Sequence, residues 1–166
     1  MTGSSQITAD AWKAAIAPIM RTVHKDLMSR HQAVLGEYGL TKMHAGYIMA
    51  LSHGPDTLKG ISEKLNLDKA NTTRAVVFLR EAGLVTDDRV SDTSRKYNIF
   101  LTEKGQDIAQ ALKKSMNDAF DTYTKGISQE EIDAIIAVLE KIRRNIDPKG
   151  KLLSTELPDK CDNCEF

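Results

Sequence analysis

Five of six consecutive positions, Lys69, Asn71, Thr72, Thr73 and Arg74, carry the donors and acceptors that pair with base edges and phosphates. Asn holds adenine through two hydrogen bonds, Thr touches a thymine methyl, and Arg serves guanine or a phosphate. Val76 and Leu79 follow at helical spacing, so the polar set falls on the first turns of a helix. Those are the turns that a reading helix presents to the major groove of double-stranded DNA. A second cationic set, Arg89, Arg95 and Lys96, lies in or beside the polar run DDRVSDTSRK. Arg95 suits a narrow minor groove, whose negative potential attracts inserted cations, and Arg89 and Lys96 suit the phosphate backbone. The other reading of both sets is a solvated helix face and a solvated turn.

Other residue types offer weaker chemistry. His24 and His31 are seven apart, hence on one face of a helix, and His44 lies on the next element. Three converging imidazoles could bind zinc, but there is no close His-x-x-x-His pair and no thiolate nearby. Histidines that are exposed or hydrogen-bonded are therefore the better reading. Cys161 and Cys164 form a Cys-x-x-Cys that could supply half a tetrahedral metal site or close a redox-active disulfide. Its place in an acidic, aperiodic tail favours a segment of no fixed role. No Gly-rich phosphate loop, nucleophile beside His and Asp, or suggestive carboxylate pair occurs, so an enzyme is not expected and no cofactor is implied.

The elements that must position these groups can be read from punctuation and period. Thr8 can cap a long helix bearing Trp12, Ile16, Ile19, Val23 and Leu27, which Pro18 should kink or divide and which Gly36 and Gly39 end. Thr41 can cap a second helix with Met43, Tyr47, Ile48 and Leu51 buried, stopped by Gly54 and Pro55. Thr57 to Leu65 reads as a third helix and Asp68 as the cap of a fourth, running to about Ala82 before Gly83. Asn66 stands where the turn between them needs a left-handed backbone, which Asn tolerates. Val85 and Thr86 enter a hairpin that returns through Tyr97, Ile99 and Leu101. A fifth helix carries Ile108, Leu112, Met116, Ala119 and Tyr123. The capping box Ser128/Glu131 starts a sixth with Ile132, Ile135, Leu139, Ile142 and Ile146.

The fold class is therefore mainly α with a small β wing, a winged helix-turn-helix flanked by N- and C-terminal dimerisation helices. Residues 1–35 and 103–147 are assigned to dimerisation, 40–102 to DNA binding, and 148–166 to a mobile tail. The terminal apolar stripes are too long for the central module to cover, and a second copy about a two-fold axis would cover them. The chain has 166 residues, 41% of them hydrophobic, enough for a core without staples. Its 23 basic and 23 acidic residues balance, so affinity for nucleic acid must come from local placement rather than bulk charge. A transmembrane run and a signal-peptide pattern are both missing, and the cysteine usage suits a reducing compartment, so a cytoplasmic location is expected.

With this order of elements, LTKMHAGYIMAL, ISEKLNLDKANTTRAVVFLREAGLV and LTEKG resemble the MarR family of bacterial transcriptional regulators over about residues 16 to 146. The resemblance implies a homodimer held by the first, fifth and sixth helices, with the fourth helix in the major groove and the wing against the minor groove. It also implies repression relieved by a small ligand or an oxidant. A cleft between the dimer helices and the winged module would be lined by Trp12, His24, Met43, Tyr47, Met116 and Phe120, a mixture suited to a planar, weakly polar ligand and equally to ordinary core. The chain departs from the family pattern in three ways. Asp92 lies three rather than two residues before Arg95. Asp87 and Asp88 stand where a basic residue is usual, and Val77 and Phe78 are apolar where polar residues are usual. A pseudo-palindromic operator is the expected partner. Two alternatives remain: a winged-helix adaptor that binds protein, and a regulator that senses metal or redox state through the histidines or the Cys-x-x-Cys.

Overall fold

In the computed structural model, residues 9–91 and 97–148 are described. The chain runs α1 (Ala9–Gly36), a 3-10 turn (Lys42–His44), α2 (Ala45–Ser52), α3 (Leu58–Lys64) and α4 (Lys69–Glu81). It then runs β1 (Val85–Asp87), β2 (Ile99–Leu101), α5 (Glu103–Tyr123) and α6 (Gln129–Ile146). The expected class, mainly helical with a two-stranded wing, is the observed one.

Helices α3 and α4 each begin where a side chain satisfies orphan amides. Thr57 Oγ1 accepts from the Gly60 amide at 3.1 Å, and Asp68 Oδ1 accepts from the amides of Ala70 and Asn71 at 2.8 and 3.1 Å. Between α3 and α4, Asn66 takes φ 49°, the left-handed turn expected of it, and Gly83 at φ 73° closes α4. The strands pair antiparallel, Val85 with Leu101, Thr86 with Phe100 and Asp87 with Ile99. The backbone of Asp56 adds a single bridge to Ile99, which ties the entrance of α3 to the wing.

The core lies where α2, α3, α4, the hairpin and α5 meet the C-terminal end of α1. Leu35, Ile48, Ile61, Val76, Leu79, Leu84, Ile99, Ile108 and Leu112 are its most enclosed members. Gly105 explains why LTEKG ends in glycine: a Cβ there would sit 2.2 Å from the Leu84 carbonyl oxygen and 3.2 Å from Leu101. Backbone cannot yield as a side-chain tip can, so Gly105→Ala should cost about 1–3 kcal/mol. A urea midpoint equal to the wild type's would refute this close packing.

Two local expectations are corrected. Pro18 does not divide the first helix, which continues through it from Ala9 to Gly36, and Pro18 lies on its exposed side. Met43 is not on a buried face. The chain starts its second helix with a 3-10 turn, three residues per turn instead of 3.6. Met43 is left 69% exposed, while Ala45, Tyr47, Ile48 and Leu51 take the interior.

Candidate nucleic-acid interface

Helix α4 buries Thr72, Val76 and Leu79. At 100° per residue the stripe directly opposite is Ala70, Arg74, Val77 and Glu81, all exposed, with Asn71 and Phe78 along one flank and Lys69 and Thr73 along the other. Thr72 is thereby removed from the predicted readers. It is wholly enclosed, and its hydroxyl donates to the Asp68 carbonyl at 3.1 Å, one turn back. Its position four residues before Val76 was the signal that could have placed it inward. Thr73 is half-buried, with its hydroxyl given to the Lys69 carbonyl at 2.8 Å. Lys69 is exposed, and Asn71 Oδ1 accepts from Arg74 Nη2, which aligns an amide and a guanidinium side by side on the outer surface. Such a pair offers several donors side by side, the kind of group that base edges and phosphates accept.

Phe78 is held from outside α4. The His44 ring stacks on it, with centroids 4.8 Å apart and an interplanar angle of 15°. His44 Nδ1 in turn accepts from the Thr41 amide at 3.1 Å. Burial against this ring keeps the imidazole's pKa below its ordinary value, so His44 is neutral at pH 7. From α1, Gln32 accepts from the Lys42 amide at 3.0 Å and donates to the Leu40 carbonyl at 3.3 Å. A connected path thus runs from α1 through the 3-10 turn to the outer surface of α4, and sequence periodicity gave no sign of it.

At the root of the wing, Arg89 is not presented outward as a phosphate contact. Asp87 receives its Nε at 3.0 Å and its Nη2 at 2.9 Å, and its guanidinium lies 4.6 Å from the centroid of the Tyr97 ring. Asp87 also pairs with Arg80 Nη2 at 3.0 Å, joining the last turn of α4 to the wing. The hydrogen bonds from Arg89 hold the Asp87 carboxyl below the usual carboxylate range. Asp88 accepts from the amide and side chain of Asn98 at 2.7 and 2.8 Å, closing the hairpin across its two arms. The two acidic residues that break the family pattern therefore serve the hairpin itself. Arg95, Lys96 and Asp92 lie outside the described residues, as do Cys161 and Cys164.

The six residues expected to line one cleft are dispersed. Tyr47 belongs to the core, Met43 and Phe120 are exposed, Met116 is half-buried, and the side chain of Trp12 is outside the described set. His24 lines an open groove of about 600 Å³ on α1 with Lys25, Met28, Gln32 and Lys42. A second cleft of about 420 Å³ lies between the end of α2, β2 and α5, bounded by Leu51, Pro55, Phe100, Gln110 and Lys113. The three histidines do not converge: His24 is exposed, His44 stacks on Phe78, and His31 is enclosed with neither ring nitrogen paired among the described residues. Burial pushes the His31 pKa down and keeps the ring neutral. Among the described residues no three His, Cys, Asp or Glu side chains gather closely enough for a metal ion. No described helix is long and apolar enough to cross a membrane.

Comparison with known proteins agrees with this geometry. Residues 38–95, the winged segment, match the model of the MarR family. The HTH-type transcriptional regulator SarZ of Staphylococcus epidermidis is 28% identical over 127 residues, covering 74% of this chain and 83% of that protein. A MarR protein of Staphylococcus aureus, solved with salicylate and kanamycin, superposes with a TM-score of 0.72 at 17% identity, covering 84% of this chain and 93% of that one. A MarR family regulator of Listeria monocytogenes, complexed with a 26mer DNA, gives 0.66 at 20% identity, covering 86% and 98%. The winged segment thus matches the MarR family, the relatives similar over most of this chain are HTH-type transcriptional regulators, and the fold is that of solved MarR family proteins.

Proposed function

We propose that this protein is a cytoplasmic repressor that acts as a homodimer on a pseudo-palindromic operator and is released by a small effector. The observation that carries the reading is the outer surface of α4. A helix capped by Asp68 holds Thr72, Val76 and Leu79 inward and leaves Lys69, the Asn71/Arg74 pair and the stripe between them open to a partner. A duplex offers the phosphates and base edges those groups fit. Residues 40–102 would read DNA, the helices within 1–35 and 103–147 would pair two copies, Arg95 would enter the minor groove and Lys96 would meet the phosphate backbone. The Listeria neighbour bound to DNA supports the docking mode.

Release would act through the distance between the two reading helices. The groove on α1 lies against Gln32 and Lys42, and those two residues begin the path to His44 and Phe78. An effector seated there would bear on the placement of α4, and a coupling of ~1–3 kcal/mol suffices for such a switch. The Staphylococcus aureus neighbour, solved with salicylate and kanamycin, supports a small-molecule effector.

The test is selection of bound fragments from random duplex DNA at low and physiological salt, with and without salicylate, followed by footprinting and mass measurement in solution. The expected result is a dimer protecting two half-sites about 10 base pairs apart, with affinity that falls as salt rises. A monomer, or a protein that retains no duplex at low ionic strength, ends the reading.

A further inference from the structure

The outward stripe of α4 alternates in chemistry: Ala70, then Arg74, then Val77, then Glu81, one turn apart. Val77 is 41% exposed and lies outside the core cluster. Its neighbour Phe78 is already engaged by His44, whereas Val77 sits between a cation and a carboxylate. An exposed β-branched residue does not favour a helix, so helix propensity does not account for it. Nor is the patch suited to a protein partner, since a stable protein interface buries about 800 Å² on each side and has a contiguous apolar centre.

Val77 is the bulkiest apolar group of the stripe, one turn beyond Arg74, and it matches the one apolar feature that base pairs present in the major groove, the thymine methyl. We propose that the methyl groups of Val77 pack against the C5-methyl of a thymine, which makes Val77 a specificity-determining residue of this helix. The inference rests on the DNA-binding reading above. Val77 lies about 4.5 Å along the axis from Arg74, so its thymine falls within one or two base steps of the group that Arg74 holds. Glu81, one turn further, bears the charge that phosphates repel, so the helix leaves the groove beyond Val77. This thymine therefore closes the run of bases the helix reads.

The experiment uses the full chain and a duplex selected from the random pool, with each thymine replaced in turn by deoxyuridine, which removes only the methyl group. One thymine per half-site is expected to weaken wild-type binding about fourfold when so replaced, the value of one buried methyl. Val77→Ala should bind the thymine duplex as weakly as the wild type binds the deoxyuridine duplex, and should not distinguish the two. Circular dichroism should stay unchanged, since the position is exposed and Ala favours the helix. A wild type indifferent to every thymine methyl, or a variant that loses as much as the wild type at every position, overturns the inference while leaving DNA binding in place. Failure to select any duplex overturns both, and the two failures are thereby told apart.

Discussion

A chain carrying Ile135→Glu and Leu139→Glu together is expected to sediment as a monomer and to bind its selected duplex about a hundredfold more weakly or worse, with secondary structure retained. Helix α6 buries none of its residues against its own chain, yet Ile135, Val138 and Leu139 are each half-exposed and Ile146 is 68% exposed. Those positions recur at three-, four- and seven-residue steps and form one stripe. On α1, Ile19 and Met20 are equally uncovered. The other side of α6 is already satisfied. Glu140 receives Arg143 and Arg144, whose hydrogen bonds, Arg143's first, push its carboxyl down to about 2. In the dimer proposed here the stripe is a seam, and two carboxylates placed in it must be desolvated without partners. In the monomer they stay in water, and the winged module keeps its core because α6 contributes nothing to it. The DNA effect follows from tethering: two half-sites bound together gain ~10²–10⁴ over one, and separate monomers forfeit it. Sedimentation at the wild-type mass would remove α6 from the dimer contact.

Local structure was legible wherever one residue acts on its near neighbours. Thr57, Asp68, Ser128 and Asn66 do in three dimensions what their types dictate, because a cap or a left-handed turn involves three or four residues of chain. The helix period also placed Val76 and Leu79 correctly. Thr72 was misplaced because its polarity outweighed its spacing; a hydroxyl that can bond one turn back is not obliged to face water. Met43 failed for a different reason: the 3.6-residue period does not hold in a 3-10 turn. Contacts between distant segments left no pattern to read. Asp26 on α1 accepts from Arg30 on its own helix, but also from Tyr123 Oη at 2.6 Å, 97 residues away. The His44/Phe78 stack and the Asp87 cluster likewise require the tertiary fold before they exist. Among the candidate readers, the sequence identified the helix and its opening turns, but only packing decided which side chains remain outside.

Asp87→Ala is expected to lower stability by about 2 kcal/mol at pH 7 and to weaken DNA binding through a loosened wing, although Asp87 itself is predicted to touch no DNA. The carboxylate joins three pieces of chain: it pairs with Arg80 on α4, receives Arg89 from the wing, and through Arg89 reaches the Tyr97 ring on the returning strand. Its removal leaves Arg80 and Arg89 without this anion. Charge-assisted hydrogen bonds are worth about 1.5–3 kcal/mol each, and partial exposure of both guanidiniums reduces the sum toward one such bond. The pH dependence has a definite sign. The folded carboxyl titrates below its ordinary value, so its contribution is fully present above about pH 4 and is lost as pH falls through the depressed pKa. Urea melts of the wild type and the variant should therefore differ most at neutral pH and converge as pH falls below the ordinary carboxylate range. A double-mutant cycle with Arg80→Ala separates the link to α4 from the link to Arg89: appreciable coupling means the wing is fastened to the reading helix itself. Equal stabilities at pH 7, or a difference that grows on acidification, would show that the cluster does not fasten the wing.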